Sequence, residues 1–249
     1  MQSSRALSNL LLIHFLKIKQ INSHTNKKTM KNLKRITIIS GHYGSGKTNI
    51  AVNLAIDLKK SFDKVAVADL DIVNPYFRTK DSMSDFVENE IRLISSEYAG
   101  SNVDIPALPQ EMYAITDDKS YKMIVDLGGD DRGALALGRL TPEIVKENDY
   151  EMLLVVNKFR PLTPDTETTV EVAREIERAG KISFTGVINN SNLGEFTAEE
   201  DLLNSLSYAE DIANAMGIPV VATTVKRDLY DGLKLKIENL YPLDLQAKI

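Results

Sequence analysis

Eight residues, Gly41-His42-Tyr43-Gly44-Ser45-Gly46-Lys47-Thr48, restrict this chain more than any other feature. They satisfy the spacing G-x-x-x-x-G-K-[ST] at every fixed position. The flanks agree with it. Arg35-Ile-Thr-Ile-Ile-Ser40 ahead of the loop is a short β-branched apolar run, the pattern of a buried strand. Asn49-Ile-Ala-Val-Asn-Leu-Ala-Ile-Asp-Leu58 behind it reads as a helix. Strand, glycine loop and helix start together make a cradle for phosphate. Glycines let the backbone curl until several N–H groups point inward, and the helix start adds its positive end. In such a loop the Lys47 ammonium reaches the β- and γ-phosphates and the Thr48 hydroxyl holds Mg²⁺. The bland alternative is a glycine-rich turn with an exposed lysine.

Downstream, strand and helix patterns alternate. Lys64 to Asp71 is a strand ending in two aspartates, and Asn74-Pro75 marks a turn after it. Glu90 to Ser95 reads as a short edge strand, and Tyr121 to Gly129 as a strand that again ends in an aspartate. Asp130 to Asn148 reads as helix in two pieces, divided where Thr141 can cap and Pro142 can take the first helical position. Glu151 to Asn157 is a buried strand. Thr163-Pro164 opens a helix that Gly180 closes. Ser183 to Asn189 is a strand, and Thr197-Ala-Glu-Glu200 is a capping box for a helix closed by Gly217. Ile218 to Thr223 is then the last strand, and Arg227 to Glu238 the last helix.

Several of these strands are apolar on both faces, which calls for a mostly parallel central sheet with helices on both faces, a three-layer α/β fold. Ligands of such sheets bind at the carboxyl ends of the strands. The glycine loop, Asp69 and Asp71, Asp126, and the loops that begin at Asn157 and Asn189 all fall there.

Each has a chemical reading and a plainer one. Asp126 at a strand end is placed to orient Mg²⁺; it can equally be a turn residue. Gly128 and Gly129 behind it let backbone approach a γ-phosphate closely. Asp69 and Asp71 point the same way on a continuing strand. One supports the metal shell and the other, Asp71, positions the attacking water, unless the two are a solvated turn pair. Asn189, or Asn190 beside it, carries an amide that can read a purine edge, and asparagine is also common in turns. Asn49 follows the loop at the helix start and adds its amide. Arg78 and Arg160 can bind phosphate or pair with carboxylates, and read first as structural or surface ion pairs. Asn157-Lys158-Phe159-Arg160 lacks the aspartate of a guanine-reading Asn-Lys-x-Asp sequence, which favours ATP over GTP.

Composition removes several chemistries. The 249 residues contain no cysteine, so disulfides, thiolate metal sites and a cysteine nucleophile are excluded. A net charge of −5 argues against binding nucleic acid through a broad basic face. Residues 1–30 read as an N-terminal extension ahead of a single domain over 31–249. Leu10 to Ile18 is apolar but too short to span a membrane, and no cleavage site follows it. Three readings stand for this segment: a loosely attached amphipathic helix, a targeting or membrane-surface helix, or upstream sequence ahead of a true start at Met30. We favour the third, because the first strand begins about five residues after Met30.

With these residues placed, roughly residues 34–240 resemble the MinD/ParA-like branch of P-loop ATPases, the CobQ/CobB/MinD/ParA nucleotide-binding domain. The phosphate loop, Asp69-Leu-Asp71, Asp126-Leu-Gly-Gly129 and Val187-Ile-Asn189 match in order. The resemblance implies a P-loop NTPase fold, ATP and Mg²⁺ as ligands, water preparation by Asp71 and adenine reading by Asn189. It implies a cytoplasmic, slow ATPase used as a nucleotide switch. An ATP-dependent biosynthetic enzyme, amidoligase-like or dethiobiotin-synthase-like, with a substrate pocket from residues 76–116, is the rival. A nucleotide-binding adaptor without hydrolysis is the third option. Members with a Lys-Gly-Gly-x-Gly-Lys loop reach across an ATP-sandwiched dimer with the first lysine. His42 holds that slot here, which counts against the same homodimer and leaves a protein partner as the other source of charge. No transmembrane segment is expected.

Overall fold

Strands that are apolar on both faces become the middle of one sheet. The computed structural model describes residues 30, 32–71, 80–95, 110–129 and 131–245. The extension at residues 1–29, Arg78 and residues 96–109 of the 76–116 segment lie outside the described residues.

The elements in chain order are β1 (Ile36–Ser40), α1 (Lys47–Lys59), β2 (Val65–Leu70), α2 (Lys80–Glu88), β3 (Arg92–Ser95), α3 (Ala114–Asp117) and β4 (Lys122–Leu127). Next come α4 (Asp131–Glu147), β5 (Tyr150–Val156), α5 (Thr166–Gly180), β6 (Gly186–Asn189), α6 (Glu199–Met216), β7 (Val220–Lys226), α7 (Tyr230–Leu233) and β8 (Leu240–Leu243). The sheet order is β3-β2-β4-β1-β5-β6-β7-β8, and every described pairing is parallel. Alternating residues of the strands feed two cores. Ile36, Ile38, Val125 and Leu154 pack with Leu137 of α4, Ile176 of α5 and Ile212 of α6 on one face. Ile39, Val67, Ile124 and Val155 pack with Ile50 and Leu54 of α1 on the other. The three-layer α/β fold is thus as expected, and it follows from strands that need cover on both faces. Among the described residues no helix is long and apolar enough to cross a membrane.

β1 is central because both its neighbours pair along it. Ile39 is level with Asp126 of β4 and with Leu153 of β5. β2 in turn sets Asp69 level with Asp126. Register therefore brings the carboxyl ends of β2, β4 and β1 together at one edge.

Several boundaries differ from expectation, each for a local reason. α4 is one helix with Pro142 inside it, not two pieces. Its middle is pressed on the end of α5: a Cβ on Gly138 would stand 3.1 Å from the Ala179 carbonyl, and the Thr141 hydroxyl donates to Gly180 O at 2.7 Å. That packing carries the helix through the missing proline N–H. Thr141→Val is expected to lower stability by about 1 kcal/mol, read as a lower urea midpoint; an unchanged midpoint would show the bond is idle. α5 starts at Thr166 and not at Pro164, because the Asp165 carboxylate accepts from Thr168 N at 2.9 Å and outcompetes Thr163 as cap. Gly180 is the last helical residue, with Lys181 taking the left-handed position after it. For α6 the Thr197 hydroxyl turns back to Gly194 O, and Asp201 instead accepts from Ala198 N at 2.8 Å. After β7 the chain makes only a short 3₁₀ turn and α7, then returns as β8. The expected last helix over Arg227–Glu238 is thus cut to its first part, and the last strand is not β7 but one the sequence hid: four residues long, with Pro242 in it, a combination tolerated at a sheet edge.

Candidate functional site

The glycine loop leaves β1 flush against its neighbours. Gly41 has φ 149°, and a Cβ there would collide with the Val155 carbonyl of β5. Gly46 has φ 91°, and a Cβ there would collide with the Asn190 amide beyond β6. A Cβ on Gly129, after β4, would strike the Gly41 carbonyl. The loop is therefore clasped by three strands, and side chains at these glycines would force it apart. Ser45 N donates to His42 O at 3.1 Å, which closes the turn. Gly46 is the residue before α1 and offers no side-chain cap. The first-turn amides of α1 are the donors that an anion can satisfy.

Lys47 is 5% exposed, and its ammonium donates back to His42 O at 3.3 Å. The Thr48 hydroxyl donates to Asp126 Oδ2 at 2.7 Å. Asp126 is 1% exposed, and its Oδ1 has no hydrogen-bond partner among the described residues. Burial pushes its carboxyl from the ordinary range up to about 6; the Thr48 hydroxyl and the Lys47 charge oppose the rise and Asp71 adds to it. Asp69, also buried, accepts from Asp71 N at 2.9 Å. Asp71 is half-buried and faces an open cleft of about 460 Å³.

That cleft is where half of the expected residues meet. Tyr43, Gly44, Gly46, Lys47, Thr48, Asn49 and Asp71 line it. Gly41 and Ser45 are buried in the base of the loop, and Gly129 packs on the loop from behind. Asp126 and Asp69 lie beneath Thr48 and Asp71 through the bonds just given. His42 is not on the cleft wall: its Nδ1 donates to Tyr43 O at 3.0 Å, along the loop.

Asn189, expected to read a purine edge, has its amide engaged inside the protein. It is fully buried, its Nδ2 donates to the Ser205 hydroxyl at 2.9 Å, and its Oδ1 accepts from Ser191 N at 3.2 Å. Asn157 is likewise committed, bracing Phe159 N and Asn192 N with its carbonyl oxygen. Asn190 lines the cleft instead. Its Nδ2 donates to Ser45 O at 2.6 Å and its Oδ1 accepts from the Thr224 hydroxyl, so it holds the loop in place.

The remaining wall is Arg160, Asn192, Gly194, Glu195 and Leu245. The Arg160 guanidinium lies 3.4 Å from where a Gly44 Cβ would stand, and it makes no ion pair among the described residues. Its place three residues beyond Asn157, in the loop after β5, was the signal that marked it. Nothing local marked Leu245.

The family model described as the CobQ/CobB/MinD/ParA nucleotide binding domain matches residues 36–228. No curated protein matches the chain. Among solved structures it is similar to the cell division protein FtsY of Thermotoga maritima, at 19% identity and a TM-score of 0.52, covering 81% of this chain and 66% of that one. Chloroplast FtsY of Physcomitrella patens gives 18%, 0.51, 80% and 63% in the same order. The signal recognition particle receptor FtsY of Elizabethkingia anophelis gives 18%, 0.48, 80% and 59%. At such identities the likeness to the first two is one of fold alone. The chain spans 59–66% of the length of these structures.

Proposed function

The chain belongs to the CobQ/CobB/MinD/ParA nucleotide-binding domain family of P-loop NTPases, and on that premise we propose that it is a cytoplasmic ATP-binding protein that hydrolyses ATP slowly with Mg²⁺ and uses the nucleotide as a switch. The observation that carries this reading is the bond from Thr48, on the cleft wall, to the buried Asp126, beside a loop in which Gly41 and Gly46 admit no side chain, with one Asp126 oxygen unpartnered among the described residues. Such an oxygen is costly unless a ligand or its water shell completes it.

The donor set fits a small hard cation: one hydroxyl and two carboxylates, all oxygen. Thr48 and Asp126 would hold Mg²⁺, with Asp69 behind them. The ion, when bound, neutralises charge that builds on the β- and γ-phosphate oxygens. The chain's own groups do the rest. Loop and helix amides bind the phosphates, and Lys47 exchanges a neutral carbonyl for an anionic oxygen. Asp71, facing the cleft while its backbone N–H is held by Asp69, orients the attacking water and takes up its proton. His42, in the family's signature-lysine slot, turns along the loop and brings no charge to the cleft. The intrinsic rate is therefore low, and a partner protein or a second copy supplies the missing cation. ATP is preferred over GTP because the loop after β5 carries Arg160 where a guanine-reading aspartate would stand.

Phosphate release from ATP with Mg²⁺ tests this directly. The expected unaided turnover is below about one per second. Asp71→Asn is expected to cut it about tenfold or more while ATP affinity holds. Unaided turnover of tens per second would contradict a slow switch, and an Asp71→Asn variant that hydrolyses like wild type would remove that residue from water positioning.

A further inference from the structure

The phosphate-handling groups come from β1, α1, β2 and β4, on one half of the sheet. The opposite wall of the cleft comes from the other half, after β5, β6 and β8. β8 is the far edge strand, separated from β1 by β5, β6 and β7. That Leu245, two residues past β8, reaches a cleft organised on β1 needs a physical cause.

The cause is a clamp on α1. Asn53 accepts from Asp244 N at 2.8 Å and donates to Asp244 O at 3.0 Å. Asn49, one turn earlier, donates to the same carbonyl at 3.0 Å. One turn later Asp57 accepts from the Tyr241 hydroxyl at 2.6 Å. Positions 49, 53 and 57 share one stripe of α1, because residues four apart lie above one another on a helix. β8 thus runs along the helix that starts with Lys47, and Leu243 joins the core that α1 covers. From the β7 side, the Arg227 guanidinium grips the Asp244 carboxylate with two bonds. Asp244 is held through its N–H, its carbonyl and its carboxylate. The next residue, Leu245, is delivered to the cleft with 41% of its surface exposed.

A triphosphate gripped by Lys47 and Thr48 with its end at Asp71 leaves its nucleoside directed to this second wall. The amides there are partly committed inside the protein. Asn190 is tied to Ser45 and Thr224, and Asn192 donates to Asn190 O at 2.7 Å while accepting from Gly194 N at 3.0 Å. Among the mostly polar side chains of this wall, Leu245 is the one that offers a flat ring apolar surface.

We propose that Leu245 is the apolar face against which the nucleobase packs, and that the Asn53–Asp244 clamp is what positions it. This rests on the nucleotide reading above. A base-side role predicts that the base, and not the phosphates, feels the change.

Affinities for ATP and for inorganic tripolyphosphate, each with Mg²⁺, separate the two. Leu245→Ser is expected to weaken ATP about tenfold and to leave tripolyphosphate unchanged. Asn53→Ala, which removes the bond to Asp244 N and one of the two to Asp244 O, is expected to shift the same ratio in the same direction. Wild-type ATP affinity in both variants would overturn the inference while the nucleotide reading stands. Equal weakening of ATP and tripolyphosphate would also overturn it, since the effect would then act through the phosphate loop. A wild-type protein that binds neither ligand would end the nucleotide reading itself, and this inference with it.

Discussion

Lys47→Ala should lose nucleotide affinity and turnover together, by on the order of 10²–10³-fold. The ammonium is buried in its own loop and rests on the neutral His42 carbonyl. Phosphate replaces that contact with a charge-assisted bond, roughly twice as strong as a neutral one. Because the ammonium is already desolvated, little of the gain is lost to stripping water from it. Lys47→Arg should rescue poorly, since a planar fork is a different shape from a compact ammonium buried in a close-packed loop. Titration with ATP in the presence of Mg²⁺, beside single-turnover hydrolysis, reads both quantities. Retained affinity with retained turnover would remove the phosphate cradle from the account. The same substitution also withdraws a charge that holds the Asp126 carboxyl down, so its proton should bind more tightly still.

Asp126→Asn is expected to act in opposite directions on stability and on function. Burial raises this carboxyl to about 6, against an ordinary 3.8. Between those two values the folded protein holds a proton that the unfolded chain has lost, so stability falls as pH rises through the window and then levels off. At neutral pH the folded state carries a cost of about 3 kcal/mol for the ionised group, at about 1.4 kcal/mol per pH unit. Asparagine has the same shape and can still accept from Thr48, without that cost. The variant should therefore be more stable than wild type at pH 7 without nucleotide, by up to about 3 kcal/mol. At pH 4 and below the two should converge. It should also lose the extra stabilisation that Mg²⁺ adds to ATP, because the carboxylate that would hold the ion is gone. Urea melts at pH 4 and pH 7, with and without Mg²⁺ and ATP, check both halves. A variant weaker than wild type at pH 7, or one that still responds to Mg²⁺, would show that the buried charge has another purpose. A carboxylate kept at a cost to the free protein is the mark of a site built for something it binds.

Sequence and structure agree wherever a function depends on neighbours along the chain. The Gly41–Thr48 loop needs a strand before it and a helix after it, and all three lie in one continuous stretch. Asp69 and Asp71 are separated by one residue on β2, so alternation along the strand sets their relation; the structure adds that Asp69 holds Asp71 N. Agreement fails where an amide's partner lies far along the chain. Asn189, Asn190 and Asn192 look alike as strand-end asparagines. Their uses differ because Ser205, Ser45 and Gly194 stand opposite them, and nothing near position 190 says so. β8 escaped notice because an edge strand of four residues needs little hydrophobic pattern and can carry a proline.

By itself the sequence determined the three-layer parallel fold, the phosphate loop and the carboxylates at the strand ends, because periodicity and short spacings are local properties of a chain. Only the tertiary structure decided which side chains are exposed to the cleft and which are consumed inside the protein. It placed Arg160 over Gly44, took Asn189 away from the cleft, and carried Leu245 to it from the far edge of the sheet. The physical reason is that a polar group's role is settled by whatever satisfies its hydrogen bonds, and for these residues those partners arrive only when the sheet closes its order and α1 lays β8 alongside the loop.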